Sequence, residues 1–234
     1  MSKKKSKAKK IGKCVYCGLT TEITEDHVIP GTLFNWKLPQ GQQWIKAPAC
    51  KSCNSNLKSK DDEYLRDMLV CEFKAIQHPT AKDCFQKMLS SARRNTSVIA
   101  RDAFKRGQSV NLYTPNGLFL GEHFSYPVNR ERIQRIFTRI VKGLFYRNLQ
   151  KYIPPQYEFQ AVYLDSEDIN LIFHIFHNTP GCNGPFGMGD GVFNYSFILL
   201  EEDVNISYWL IWFYNSVCFS VRVVPPNFDL KAVS

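Results

Sequence analysis

The chain lacks an apolar run that could cross a membrane, an internal repeat, and any acidic residue among its first thirteen positions. Each absence narrows the reading. A spanning helix needs roughly 20 apolar residues, and the most hydrophobic stretch, 205–224, is broken by Asn215-Ser216 and carries Arg222. Two aromatic-rich strands joined by a turn fit that stretch better. Without a repeat, solenoids and propellers are excluded. No apolar leader stands ahead of the opening lysines, so the expected compartment is the cytoplasm and no membrane partner is expected. The glycine-rich stretch 180–191 lacks a strand–turn–helix setting and contains Pro185. It is therefore no dinucleotide fingerprint and reads as an irregular surface loop.

Charge is present but unevenly placed. Of the net +9, seven charges come from lysines in the first thirteen residues, leaving +2 for everything after them. Residues 1–12 read as a disordered basic arm, too polar to repay its own ordering, that adds salt-sensitive attraction to phosphates. The remainder is long and apolar enough for one sizeable core, or one core plus a small module. Eight cysteines divide into two Cys-x-x-Cys pairs and four scattered residues, Cys71, Cys84, Cys182 and Cys218. The scattered four lie in apolar segments and read as reduced, mostly buried thiols.

The spacing of apolar residues predicts an α+β fold with a small module over 13–77 and a body over 78–234. Residues 13–60 hold too little hydrophobic material for a core of their own, so a metal staple would be physically useful. Ser59-Lys60-Asp61-Asp62 offers a helix start with acids in its first turn. Leu65, Met68, Leu69, Phe73 and Ile76 follow at helical spacing until Pro79, and a second helix is expected over 80–106. A hairpin is expected over 110–126, turning at Pro115-Asn116-Gly117. A long helix over 129–150 carries an apolar face and, on another side, Arg132, Arg135, Arg139 and Lys142. That row reads as a solvated face, with a phosphate-tracking surface as the alternative. A strand over 157–164 and a short helix or strand over 168–177 come next, with His174 and His177 read as core packing. Three antiparallel strands over 192–201, 205–214 and 217–224 complete the sheet body.

Cys14, Cys17, Cys50 and Cys53 supply the full ligand set of a closed tetrahedral zinc site. The 32 residues between Cys17 and Cys50 exceed the gap of a compact finger, so something is built inside the loop that the metal closes. Within it stands Asp26-His27-Val28-Ile29-Pro30, and Asn54 follows the last cysteine directly.

That ordered string, over residues 14–64, resembles the zinc-containing HNH endonucleases of the ββα-metal class. The resemblance implies a hairpin and a helix clasping one divalent cation, Mg²⁺ or Mn²⁺, with Asp26 and Asn54 as its ligands. It implies His27 as the general base and products bearing a 5′-phosphate and a 3′-hydroxyl. A histidine neutral near pH 7 can take a proton from water, and a divalent cation can stabilise a leaving oxygen. Adjacent residues of a strand point to opposite faces, so Asp26 and His27 can serve separate roles. One departure is that Ile45 stands where the family places a middle asparagine; Gln43 or Asn35 are the available substitutes. Asp62 or Glu63 would be further ligands, against the plainer reading of Asp61, Asp62 and Glu63 as helix-start acids. Lys51, Lys58 and Lys60 are phosphate contacts or solvated lysines. The expected function is a metal-dependent endonuclease hydrolysing DNA, ahead of RNA. The alternative is a non-catalytic zinc module binding nucleic acid or protein. A regulatory protein partner or homo-oligomer through the body is compatible with either.

Overall fold

The computed structural model describes residues 10–94, 106–125, 127–164 and 166–228. Most of the expected basic arm and the stretch 95–105 of the expected second helix lie outside them. The described residues form a mixed α/β protein with antiparallel sheets. β1 (Ile11–Lys13), β2 (Thr20–His27) and β3 (Lys46–Cys50) make a three-stranded sheet with β2 in the centre. β1 starts inside the expected arm, because Ile11 and Gly12 pair with Glu22 and Thr21.

α1 (Asn56–Val70) corrects the expected helix start at Ser59. Ser55 is the cap, its Oγ accepting from the Leu57 amide, so no acid lies in the first turn. Asp61 and Asp62 are instead buried one turn further on, and the helix-start reading of them fails. α1 also ends before Phe73, which is exposed rather than part of the apolar face. Pro79 opens α2 (Pro79–Arg93) as its first residue, with the His78 ring capping the Thr80 amide. β4 (Gln108–Tyr113) and β5 (Phe119–Ser125) form the expected hairpin.

α3 (Arg130–Leu149) is capped by Asn129, whose Oδ1 accepts from the Arg132 amide at 3.0 Å. The second large sheet comprises β6 (Glu158–Leu164), β7 (Asn183–Met188), β8 (Phe193–Leu199), β9 (Ser207–Phe213) and β10 (Val217–Val224). Its order is β6-β10-β9-β8-β7, antiparallel throughout. β7 corrects the expected irregular loop: at a sheet edge Pro185 forfeits no ladder bond, and the register merely shifts between Asn183 and Phe186. α4 (Ser166–Asn178) corrects the expected core packing of His174 and His177. Leu171, His174 and Ile175 are exposed, and the half-buried His177 bonds through Nε2 to Ser196 Oγ at 2.9 Å. Cys84 and Cys218 are buried as expected, but Cys71 is exposed.

One hydrophobic interior runs from Val15 through Val28, Ile29, Leu33 and Phe34 to Trp209, Phe213 and Val223. It is continuous across residue 77. The Tyr214 hydroxyl donates to the Leu33 carbonyl at 2.9 Å, and the Tyr64 hydroxyl accepts from the Asn129 amide at the same distance. At Gly143 of α3, a Cβ would stand 2.5 Å from a Val28 methyl, so only glycine allows this approach of helix to hairpin. No helix among the described residues is long and apolar enough to cross a membrane.

Candidate functional site

Two tight turns present the paired cysteines. The Gly18 amide bonds to the Cys14 carbonyl and the Asn54 amide to the Cys50 carbonyl, both at 2.9 Å. Gly18 has φ of 77°, a left-handed conformation that glycine takes without strain. The four sulfurs all lie within 4.8 Å of one another, and Cys17 Sγ is 3.7 Å from Cys50 Sγ. A tetrahedron with Zn–S bonds of about 2.3 Å has edges of about 3.8 Å, so the four thiols fit a metal ion such as zinc. Burial opposes ionisation of Cys50, yet hydrogen bonds from Ser52 and Cys53 hold its thiol down at about 6.

The strand geometry sorts Asp26 from His27. Asp26 pairs across the sheet with buried Ala47 and faces the helices; His27 pairs with Lys46 and faces outward. Asp26 is only 2% exposed, and its Oδ1 lies 2.9 Å from Lys58 Nζ. The same ammonium reaches Asp62 Oδ2 at 2.9 Å, and Arg139 Nη2 takes Asp62 Oδ1 at 2.5 Å. Asp61 accepts from Arg132 at 2.8 Å and from Arg135 at 2.9 Å. The basic row of α3 is therefore not a solvated face: three of its members cross to α1 and pair with its acids. Lys58, read from sequence as a phosphate contact or a solvated lysine, is buried between two carboxylates.

Ionisation follows that geometry. Burial pushes the Asp62 carboxyl up, although Arg139 and Lys58 oppose it. Burial would raise Asp61 too, but Arg135 and Arg132 hold it below the usual range. Tyr16 lies beside Asp26, and burial, then the carboxylate charge, drives its phenol far above 10.0. Buried in this region, the Tyr16 phenol and the Asp26 carboxylate have each other, whereas Arg139 Nε has no hydrogen-bond partner among the described residues.

On the outward face the His27 ring stacks on Trp44 at 5.0 Å, with Trp36 6.0 Å away. Burial, then Lys58 and Lys46, lower its pKa below 6.5. Trp36 itself is 61% exposed and lies over Gly31, where a Cβ would stand 2.4 Å from the indole. Lys46 bonds to Glu25 at 2.9 Å beside this ring cluster.

The remaining expected residues are scattered. The Asn54 amide donates to Thr24 Oγ1 at 3.4 Å, on the Asp26 side of β2. Glu63, Gln43, Lys51 and Lys60 are exposed. Asn35 accepts from Lys87, while the Ile45 carbonyl accepts from the Val28 amide at 2.9 Å and holds the strand end by backbone alone. Sequence reasoning missed Tyr16 and the Arg139–Asp62 pair. It also missed Gln42, whose Oε1 accepts from the Gly189 amide at 2.6 Å. The Lys58–Asp62 link was detectable, since the two stand four apart on one helix.

At Asp26 a divalent cation would share the carboxylate with Lys58: the ammonium takes Oδ1, while Oδ2 has no partner beyond the Tyr16 phenol among the described residues. Both oxygens of Asp62 are taken by Lys58 and Arg139. Among the described residues, the four cysteines are the cluster of His, Cys, Asp or Glu suited to metal.

Fold and site define an α+β protein with a four-cysteine centre that could hold a structural metal ion. No family model, no curated protein and no solved structure matches the chain.

Proposed function

We propose that residues 14–64 act as a nuclease module that hydrolyses DNA phosphodiesters in the manner of the HNH endonucleases. Zinc in the four-cysteine centre would pin β2 and β3 to the start of α1. His27 would take the proton from the attacking water. The observation that carries this reading is the state of that imidazole: half-buried, held below 6.5, and therefore neutral and able to accept a proton at pH 7. Trp36 and Trp44 offer flat surfaces on which a base can stack, and Lys46 offers a cation for phosphate. Mg²⁺ or Mn²⁺ would have to share Asp26 with the Lys58 ammonium on Oδ1, and no step is assigned to it.

The test is nicking of supercoiled plasmid by the zinc-loaded protein, with and without added Mg²⁺ or Mn²⁺. His27→Ala is expected to abolish nicking while leaving zinc content and melting temperature unchanged. A variant that cuts as fast as the parent overturns the reading.

A second reading rests on the ion pair itself. With Asp26 already neutralised by Lys58, the module would bind nucleic acid without cutting it. It expects salt-sensitive binding, no cleavage with any divalent cation, and no effect of His27→Ala on affinity.

A further inference from the structure

Between the first turns of α1 and the middle of α3 lies a cavity of about 290 Å³, on the side of the hairpin away from His27. Lys58, Arg135, Arg139 and Lys142 line it with one carboxylate, Asp61, and the hydroxyls of Ser52 and Ser55, while Asp26 and Asp62 hold Lys58 and Arg139 from behind. The helix capped by Ser55 presents its positive end here.

A helix end and a basic row can still belong to a surface satisfied by its own carboxylates. The buried guanidinium argues otherwise. Arg139 is 9% exposed, and while its Nη2 is bound to Asp62, its Nε–H has no acceptor among the described residues. A buried N–H without a partner is costly, so this one, at the cavity, indicates an absent acceptor. The Tyr16 phenol, on the same cavity, is turned to the Asp26 carboxylate instead. Lys142 donates to the Tyr16 carbonyl at 3.0 Å and lies near the cysteine thiolates, so its charge serves the metal centre first. Arg139 remains, with Arg135 at the rim.

We propose that this cavity is an oxyanion site that takes a phosphate group. The acceptor has to satisfy donors arriving from α3 and from the start of α1. A tetrahedral oxyanion has oxygens in both of these directions, and guanidinium pairs strongly with phosphate. The site stands on the opposite side of β2 from His27 and does not depend on catalysis there. The phosphate can belong to a nucleic-acid end or be free in solution.

Calorimetric titration of the zinc-loaded protein with inorganic phosphate, with no divalent cation added, tests the site. Binding is expected with a Kd on the order of 1 mM or tighter. Thr138→Glu sets a carboxylate on the cavity wall without removing an ion pair, and should weaken binding by about tenfold or more with zinc content and melting unchanged. Arg139→Lys keeps the charge but removes the Nε donor, and should weaken it too; if that variant fails to fold, Thr138→Glu carries the test. No phosphate binding by the parent, or binding that Thr138→Glu leaves intact, overturns the proposal.

Two oligonucleotides, with a 5′-phosphate and with a 5′-hydroxyl, separate the sources. A preference for the phosphorylated one that Thr138→Glu abolishes assigns the site to nucleic-acid ends. Equal affinity for the two, with inorganic phosphate still bound, assigns it to free phosphate. The lysine-rich start of the chain also favours the extra charge of a 5′-phosphate, and the loss of that preference in Thr138→Glu is what assigns it to the cavity.

Discussion

The two larger sheets of this protein are held by different physics. β2 reads Thr-Thr-Glu-Ile-Thr-Glu-Asp-His, and Asp26 alone of these residues is buried. β9 reads Ser-Tyr-Trp-Leu-Ile-Trp-Phe, and five of the seven are buried. The first sheet has little apolar surface of its own to bury, and four thiols at its ends could clamp it through a metal ion. The second needs no clamp, because Phe213 packs on Phe193 and on Phe137 of α3, and Trp209 packs on Phe197 and Tyr195. A strand clamped at its ends is free to carry polar groups on both faces, and β2 does so, with Asp26 inward and His27 outward.

Metal removal should break the comparison most visibly. Chelation, or Cys14→Ser with Cys50→Ser, removes a binding energy on the order of 10 kcal/mol. Hydrogen exchange should then show β1–β3 losing protection while β8–β10 keep theirs. Protection of β1–β3 that survives metal loss would refute the contrast. Trp209→Ala is the reverse probe. It should cost about 3–5 kcal/mol, a fall in melting temperature of roughly 10 °C, with zinc content unchanged.

Lys58→Met comes next, at about 3 kcal/mol near pH 7, because it leaves Asp26 and Asp62 buried without their shared cation. The sign with pH is definite. Burial already raises the Asp62 pKa, so in the variant Asp62 protonates more readily when folded than when unfolded. The deficit should therefore shrink as pH falls from 7 towards 4, as read by urea melts at each pH. The smallest effect concerns His27. Its lowered pKa makes the folded state the weaker proton binder, so its contribution to stability falls away as pH drops through 6.5. If His27 is the base, the acid limb of nicking should have its midpoint below 6.5; a midpoint above it would contradict the burial of the ring.

The cysteine centre was legible because its signal is local: two pairs, each closed by its own turn. The three C-terminal strands were legible for the same reason, their apolar runs and turns lying side by side in sequence. The start of α1 was not: Ser59, with acids close behind it, read as the cap, whereas the Ser55 hydroxyl takes the Leu57 amide and starts the helix one turn earlier. Least legible was the link from α1 to α3. Arg132 and Arg135 find Asp61 across 71 and 74 residues, and Arg139 finds Asp62 across 77. Periodicity placed all of these charges on helix faces but could not pair the faces, and a row of arginines at such spacing reads as solvated until its acids are known.

That cross-chain pairing decides what can be transplanted. A fragment ending near Val70 would keep the metal ligands and His27 but expose Asp61 and Asp62, with their arginines left behind. It would also lose Gly143, the one position slim enough to let α3 seat on Val28. Anyone grafting the cysteine loop onto another scaffold would have to bring the distant helix with it, since the interchangeable unit here is a loop and a helix far apart in the chain.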